Sequence, residues 1–276
     1  MAQSYAFGNY SHTQQKTTRT SGGRTPRDRA RRELSQNFLT DPQAIEQIVK
    51  VAAPAGLILE PGPGEGALTF ALAAAGAQVI GYEADPLYAA KLKARTRDNP
   101  RIQVVKADFT TVRPPAEPFA VAGNIPFSIT SPIVRWCLNA DRLTSATLLT
   151  QLEYARKRSG DFGRWSRLTV SAWPWFGWEL TGRIGRESFR PVPSVDSGVL
   201  RIERRAEPLV SRADEAAYTE LVELGFTGVG GTLHATLRGH HPGLDAAFAV
   251  AGIPRDAVVA FVHPDQWVAL FHALHR

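Results

Sequence analysis

Between residues 41 and 160 the chain alternates two hydrophobic periods. Short apolar runs of strand length fall at 57–60, 78–83, 102–108, 119–124 and 146–152. Between them lie segments with helical spacing. Asp41-Pro42 supplies an N-cap and a proline at the first helical position, followed by Ile45, Ile48, Val49 and Ala52. Further helices are predicted at 67–75, closed by Gly76, and at 86–97 and 131–138. This alternation predicts an α/β fold, a Rossmann-like parallel sheet with helices on both faces. After residue 160 the pattern changes. Runs at 167–176, 179–184 and 195–202 read as strands without long helices between them, and so as an antiparallel edge. From Pro208 helical spacing returns, with Tyr218, Leu221 and Val222 on one face and a flexible break at 225–231.

The predicted organisation is a tail at 1–32, an α/β domain at 33–207 and a small helical C-terminal domain at 208–276. Apolar residues make up 43% of the 276, enough to fill both cores. No run reaches membrane-span length, and the first residues lack a continuous apolar segment. The cytoplasm is the compartment this predicts. Cys137 is the only cysteine and is expected to be a buried helix residue, which leaves no disulfide and no cysteine metal site. Six of the seven histidines lie beyond residue 233 without partners at zinc spacing, so no metal is expected.

Charge is unevenly spread. Residues 1–32 hold seven basic residues against one acid, while the other 25 bases and 25 acids balance. The whole net charge of +6 therefore sits in the tail. Arg24, Arg27, Arg29, Arg31 and Arg32 form its basic arm, read as a phosphate contact. Arg156-Lys157-Arg158 is a second basic group with the same expectation.

Candidate chemistry collects at strand ends, where ligands bind in such sheets. Glu60, Glu83, Asp108 and Asn124 all fall there. The loop Glu60-Pro61-Gly62-Pro63-Gly64-Glu65-Gly66 also fits a loose dinucleotide fingerprint. Its flanking carboxylates decide otherwise, because Glu60 and Glu65 repel a pyrophosphate and tolerate a sulfonium and an ammonium. S-adenosylmethionine carries both. Glu83 can accept from its ribose hydroxyls and Asp108 from its adenine amino group. Asn124-Ile125-Pro126-Phe127 closes a strand with an amide oxygen, a carbonyl before proline and an aromatic face. The Asn124 and Ile125 oxygens, accepting the two N6 hydrogens of a flipped adenine, would turn its lone pair toward a methyl donor. Phe127 would stack on the base. Phe189, in the proline-stiffened segment 189–197, could cover its other face.

Ser35-Gln36-Asn37-Phe38-Leu39, the glycine loop, Glu83, Ala107-Asp108-Phe109, Asn124-Ile125-Pro126-Phe127 and the segment 189–197 occur in one order. In that order they resemble the ribosomal RNA adenine N6-methyltransferases. That group holds the erythromycin-resistance (Erm) methylases and the small-subunit adenine dimethylases. Ile125 with Phe127, and the run 151–158, resemble the Erm branch, particularly its actinobacterial members. Ser35 and Pro61 depart from the usual residues without removing a needed group. The resemblance spans roughly 30–240 and implies a class I methyltransferase sheet. It implies a cofactor site of Gln36, Asn37, Leu39, Glu60, Gly62, Gly64, Glu83, Asp108 and Asn124, and a base site of Asn124, Ile125, Phe127 and Phe189. The implied activity is methyl transfer from S-adenosylmethionine to adenine N6 in 23S rRNA. The substrate would be naked or in a large-subunit precursor, the enzyme a monomer, and the outcome macrolide-lincosamide-streptogramin B resistance. The alternatives are a small-subunit adenine dimethylase and a catalytically idle nucleic-acid-binding relative. Intact cofactor acids and an intact tetrapeptide argue against the idle form.

Overall fold

The helices start where the sequence supplies caps. Asp41 Oδ1 accepts from the Gln43 amide at 2.9 Å, and Asp85 caps a second helix through the Leu87 and Tyr88 amides. A proline stands at the first position of each. The computed structural model describes residues 37–275. Gln36 and the arm at Arg24, Arg27, Arg29, Arg31 and Arg32 lie outside the described residues.

The chain runs β1 (Phe38–Leu39), α1 (Pro42–Ala52), β2 (Leu57–Pro61), α2 (Ala67–Ala74), β3 (Gln78–Glu83), α3 (Pro86–Arg95), β4 (Ile102–Lys106) and β5 (Phe119–Asn124). Then follow α4 (Thr130–Asn139), β6 (Leu143–Gln151), α5 (Leu152–Ser159), α6 (Arg167–Ala172), β7 (Phe176–Ile184), β8 (Phe189–Arg190) and β9 (Ser197–Arg204). The last helices are α7 (Glu215–Gly225), α8 (Leu233–Leu237), α9 (Leu244–Val250) and α10 (Pro264–Leu274).

Seven strands form one sheet in the order β4-β3-β2-β5-β6-β9-β7. The first five are parallel, and β9 pairs antiparallel with both β6 and β7. From β2 the chain winds toward β4, and from β5 it winds the other way. The carboxyl ends of β2 and β5 thus flank the point where the winding reverses, the crevice used for ligands in open α/β sheets. Neighbouring strand residues divide between two cores. Leu59, Leu148 and Leu200 face one cluster, and Ile58, Leu149 and Val199 face the other. Burial on both faces explains why these strands read as continuous apolar runs.

The first core continues into the C-terminal helices through Tyr218, Trp267 and Phe271. The described residues fall in one compact unit, and residue 208 lies in the link between β9 and α7. Cys137 is fully buried, and burial pushes its thiol pKa far up.

Two sequence expectations need correction. Residues 167–176 are not a strand, because Arg167–Ala172 is helical. The Ser166 side chain caps it by accepting from the Thr169 amide at 3.3 Å, and the Tyr218 hydroxyl donates to the Val170 carbonyl at 3.0 Å. Cap and docking override the strand preference of Thr169 and Val170. The strand expected to run to Asp108 ends at Lys106, since Asp108 caps a 3-10 turn at Phe109–Thr111.

The Tyr218 hydroxyl ties α7 to α6 in a fully buried setting. Tyr218→Phe is expected to lower stability by about 1 kcal/mol, measured as a lower urea midpoint with unchanged slope.

Candidate active site at the carboxyl edge of the sheet

The loop after β2 must turn sharply and let two neighbours close in. Gly62, Gly64 and Gly66 take φ of 64°, 55° and 85°, a region that only glycine enters at low cost. At Gly64 space is also short, because a Cβ there would stand 2.8 Å from the Phe38 ring. Pro126 Cδ would lie 3.7 Å from a Cβ on Gly62, and Pro61 Cδ 3.0 Å from one on Gly123. The glycine loop and the tetrapeptide are therefore in direct contact across the crevice.

Glu83 ends β3 almost fully buried. Its Oε2 accepts from the Gly64 amide at 2.8 Å and its Oε1 from the Asp85 amide at 2.9 Å. Burial raises its pKa, and the two amides counter part of that rise. Glu83 thus fixes the loop, with lone pairs left for further donors. Glu60 is equally buried, and its Oε2 has no hydrogen-bond partner among the described residues. Burial pushes its carboxyl up to about 8. The Thr69 hydroxyl lies near enough to offset a little of this without reaching hydrogen-bond geometry, and Glu83 adds repulsion. Asp108 is exposed, and its Oδ1 takes the Thr110 amide and hydroxyl at 2.9 and 2.8 Å.

The tetrapeptide is held from the N-terminal side. Asn124 Nδ2 donates to the Asn37 carbonyl at 2.7 Å. A carbonyl can only accept, so the contact settles which way the amide faces. Asn124 Oδ1 makes no hydrogen bond among the described residues. The Ile125 carbonyl takes no backbone bond among them either, whereas the Pro126 carbonyl accepts from Ile129. Two acceptors at consecutive residues are thus open. Phe127 is half-buried and starts the turn Phe127–Ile129.

The Asn37 segment is itself anchored. β1 pairs antiparallel with β8, with Leu39 opposite Phe189, and the Thr40 amide donates to the Ser188 carbonyl at 2.9 Å. This brings the segments around residues 37, 64, 124 and 189 together. Leu39 and Phe189 are buried in the second core. Phe189 is 0% exposed, so in this conformation it offers no face to a base, contrary to the expectation above. Its ring is part of the packing under β1.

The basic run after β6 is partly internal. Arg156 Nε pairs with Asp161 at 2.9 Å, and Arg158 donates to Ser166 at 2.6 Å and stacks on Tyr154. Lys157 is exposed. Sequence reasoning missed Phe38, which packs on the loop, and Phe162, an exposed ring beside Arg156. Phe38 stood inside the 35–39 run with no chemistry of its own to mark it, and Phe162 is a lone aromatic between two glycines, too common to single out. No cluster of three metal-ligating side chains occurs among the described residues. None of their helices is long and apolar enough to cross a membrane.

A family model described as ribosomal RNA adenine dimethylase matches residues 27–276. The chain belongs to that family. An rRNA adenine N-6-methyltransferase of Saccharopolyspora erythraea is 51% identical over 258 residues, covering 92% of this chain and 68% of that protein. The Mycinamicin-resistance protein MyrB of Micromonospora griseorubida is 37% identical over 251 residues, covering 90% and 80%. The crystal structure of the 23S rRNA methyltransferase ErmE matches with a TM-score of 0.83 at 50% identity, covering 87% of this chain and all of that one. The fold is that of the class I methyltransferases, and the family's cofactor is S-adenosylmethionine. The residues present suit it. An orphaned buried carboxylate oxygen at Glu60 fits a cationic ligand.

The Glu60 carboxyl also sets a pH dependence. Unfolded, it titrates in the ordinary carboxylate range, and folded, at about 8. The raised value means that stability is fully present below the ordinary range and falls as pH rises toward 8. Glu60→Gln should flatten that fall, by at most about 1.4 kcal/mol per pH unit. Urea denaturation of both proteins from about pH 5 to about pH 8 measures it, and equal slopes would mean an ionised Glu60.

Proposed function

We propose that this chain transfers methyl from S-adenosylmethionine to the N6 of a flipped adenine in 23S rRNA, and thereby confers macrolide-lincosamide-streptogramin B resistance. The observation that carries the reading is the Asn124 amide, whose orientation leaves Oδ1 open beside the open Ile125 carbonyl at the crevice. Bound there, S-adenosylmethionine supplies an electrophilic methyl on a sulfonium. Glu60 offers a buried counter-charge for its cationic end, and ionises when that charge arrives. Glu83 accepts from the ribose hydroxyls while holding Gly64, and Asp108 accepts from the adenine amino group. Asn37, Leu39, Gly62, Gly64 and Gln36 complete the cofactor wall.

The target adenine lies with N6 at the tetrapeptide. Asn124 Oδ1 and the Ile125 carbonyl each accept one N6 hydrogen, which draws the lone pair out of the ring and aims it at the methyl. Phe127 stacks on the base. The proton left on the methylated nitrogen is acidic enough to leave without a dedicated base. A stacking role for Phe189 requires β1 and β8 to part. The arm at Arg24, Arg27, Arg29, Arg31 and Arg32, with Lys157, contacts phosphate, while Arg156, paired with Asp161, and Arg158, bonded to the Ser166 hydroxyl, contribute only if those contacts open. The enzyme works as a monomer in the cytoplasm, on naked rRNA or a large-subunit precursor.

Asn124→Ala should slow single-turnover methylation by about 10²–10³, a far larger effect than on affinity for S-adenosylhomocysteine. A wild-type rate in that variant would remove the assigned role. Primer extension on rRNA from cells with and without the gene tests the substrate. A stop in small-subunit rRNA would reassign the enzyme to that branch, and no stop would indicate an idle relative.

Deletion of residues 1–30 should weaken RNA binding and flatten its salt dependence, since it removes five basic residues against one acid, +4 of the chain's +6, and leaves Arg31 and Arg32. The log–log slope should fall by roughly 0.7–0.9 per lost phosphate contact. Affinity across a salt series measures this. Identical slopes would make the arm a solvated tail.

A further inference from the structure

At the end of β6, the strand beside Asn124, lies a groove lined by none of the assigned cofactor or base residues and, of the phosphate candidates, only by Arg156. In the β5–β6 register Asn124 stands opposite Leu149, and Gln151 lies two residues further on, about 7 Å along the strand. Gln151, Glu153, Arg156, Phe162, Val195 and Asp196 line a groove of about 510 Å³. That is room for one small planar ligand.

Phe162 stands 61% exposed at this groove. The Arg156 guanidinium lies 5.2 Å from its ring centroid, with its Nε 2.9 Å from Asp161 as an ion pair outside hydrogen-bond geometry. Backbone hydrogen bonds tie down the loop around them. Asp161 donates its amide to Arg156, Gly163 to Gly160, and Trp165 to Ala260 at 2.7 Å. The Trp165 ring packs so closely on Gly160 that a Cβ there would meet it at 2.4 Å. The same loop carries Arg164, stacked at 5.0 Å on the exposed ring of Phe261. Exposed rings backed by arginine are suited to stack unpaired bases.

Charge selects the part of the nucleotide that enters. Glu153 and Asp196 repel phosphate. Asp196 is already occupied by Arg183 and by the Arg186 amide. The side chains of Gln151 and Glu153 make no hydrogen bond among the described residues. Glu153 can only accept while ionised, so it favours a base edge that bears an amino group.

We propose that Phe162, backed by Arg156, stacks an unpaired nucleobase neighbouring the target adenine in the RNA substrate, with Glu153 accepting from its exocyclic amino group. The inference rests on the RNA-methylation reading above and names a subsite of it. It makes Phe162 a positioning residue, one that places the target without touching the reacting atoms.

The test uses the full chain, S-adenosylmethionine and a short rRNA-derived stem-loop. Phe162→Ala should raise KM for RNA by roughly 5- to 150-fold and leave both kcat and cofactor affinity unchanged. The slope of affinity against salt should stay that of the wild type, since no phosphate contact is lost. Phe162→Tyr should restore KM, and Phe162→Leu should not. With an abasic site at the neighbouring nucleotide, wild type and Phe162→Ala should converge. If the wild type methylates the stem-loop but Phe162→Ala keeps its KM, or Phe162→Leu matches wild type, the subsite is overturned while the methylation reading stands. No methylation by the wild type overturns both.

Discussion

One hydrogen bond organises the site. Asn124 Nδ2 donates to the Asn37 carbonyl across 87 residues of sequence. It pins the short β1 strap over the glycine loop, and it decides which atom of the Asn124 amide faces the crevice. The strap could not lie there without Gly64, because any side chain at that position would strike Phe38. Nor could it stay without β8 behind it, which supplies the pairing partner for Phe38 and Leu39. A single donor–acceptor contact thus couples the N-terminal strap, the loop after β2, the end of β5 and the segment at Phe189. A proposed base acceptor that is already oriented in the free protein loses little in ordering, which is how a hydrogen-bonding site gains rate without gaining contacts.

The same crevice is held at some cost to stability. Two carboxyls, Glu60 and Glu83, are buried within one loop of each other, and burial raises both pKa values. Glu83 is compensated by two amides. Glu60 is not, and Glu83 repels it. An uncompensated buried acid in a core is ordinarily eliminated because it destabilises the fold. Here it lies where a cation is expected, so ligand binding would supply the missing partner and stabilise the fold by mass action. This asymmetry between the two acids separates a scaffold role for Glu83 from a ligand-balancing role for Glu60.

Much of the fold was legible because the parallel strands are buried on both faces and their helices carry local caps. β3 and β5 run from Gln78 to Glu83 and from Phe119 to Asn124, as the apolar runs indicate. Reading failed where tertiary contacts decide. Residues 167–172 contain β-branched Thr169 and Val170, but the Ser166 cap and the Tyr218 hydroxyl hold them in a helix. The end of β4 was misread for a local reason, since Asp108 caps the turn at Thr110 two residues on. Arg156 and Arg158 read as free charge, whereas their pairing with Asp161 and Ser166 depends on where the following loop folds.

The sequence by itself determined the sheet, the glycine turn and the kinds of group at the strand ends, because strand burial, caps and positive φ are local requirements written in neighbouring residues. It also determined the charge asymmetry, which is a matter of composition. Tertiary structure alone decided that Asn124 Oδ1 is the open atom, that Phe189 is buried rather than presented, and that Phe162 stands exposed at the groove beyond β6. Each of these depends on contacts between segments distant along the chain, and such contacts leave no period or spacing in the residues that make them.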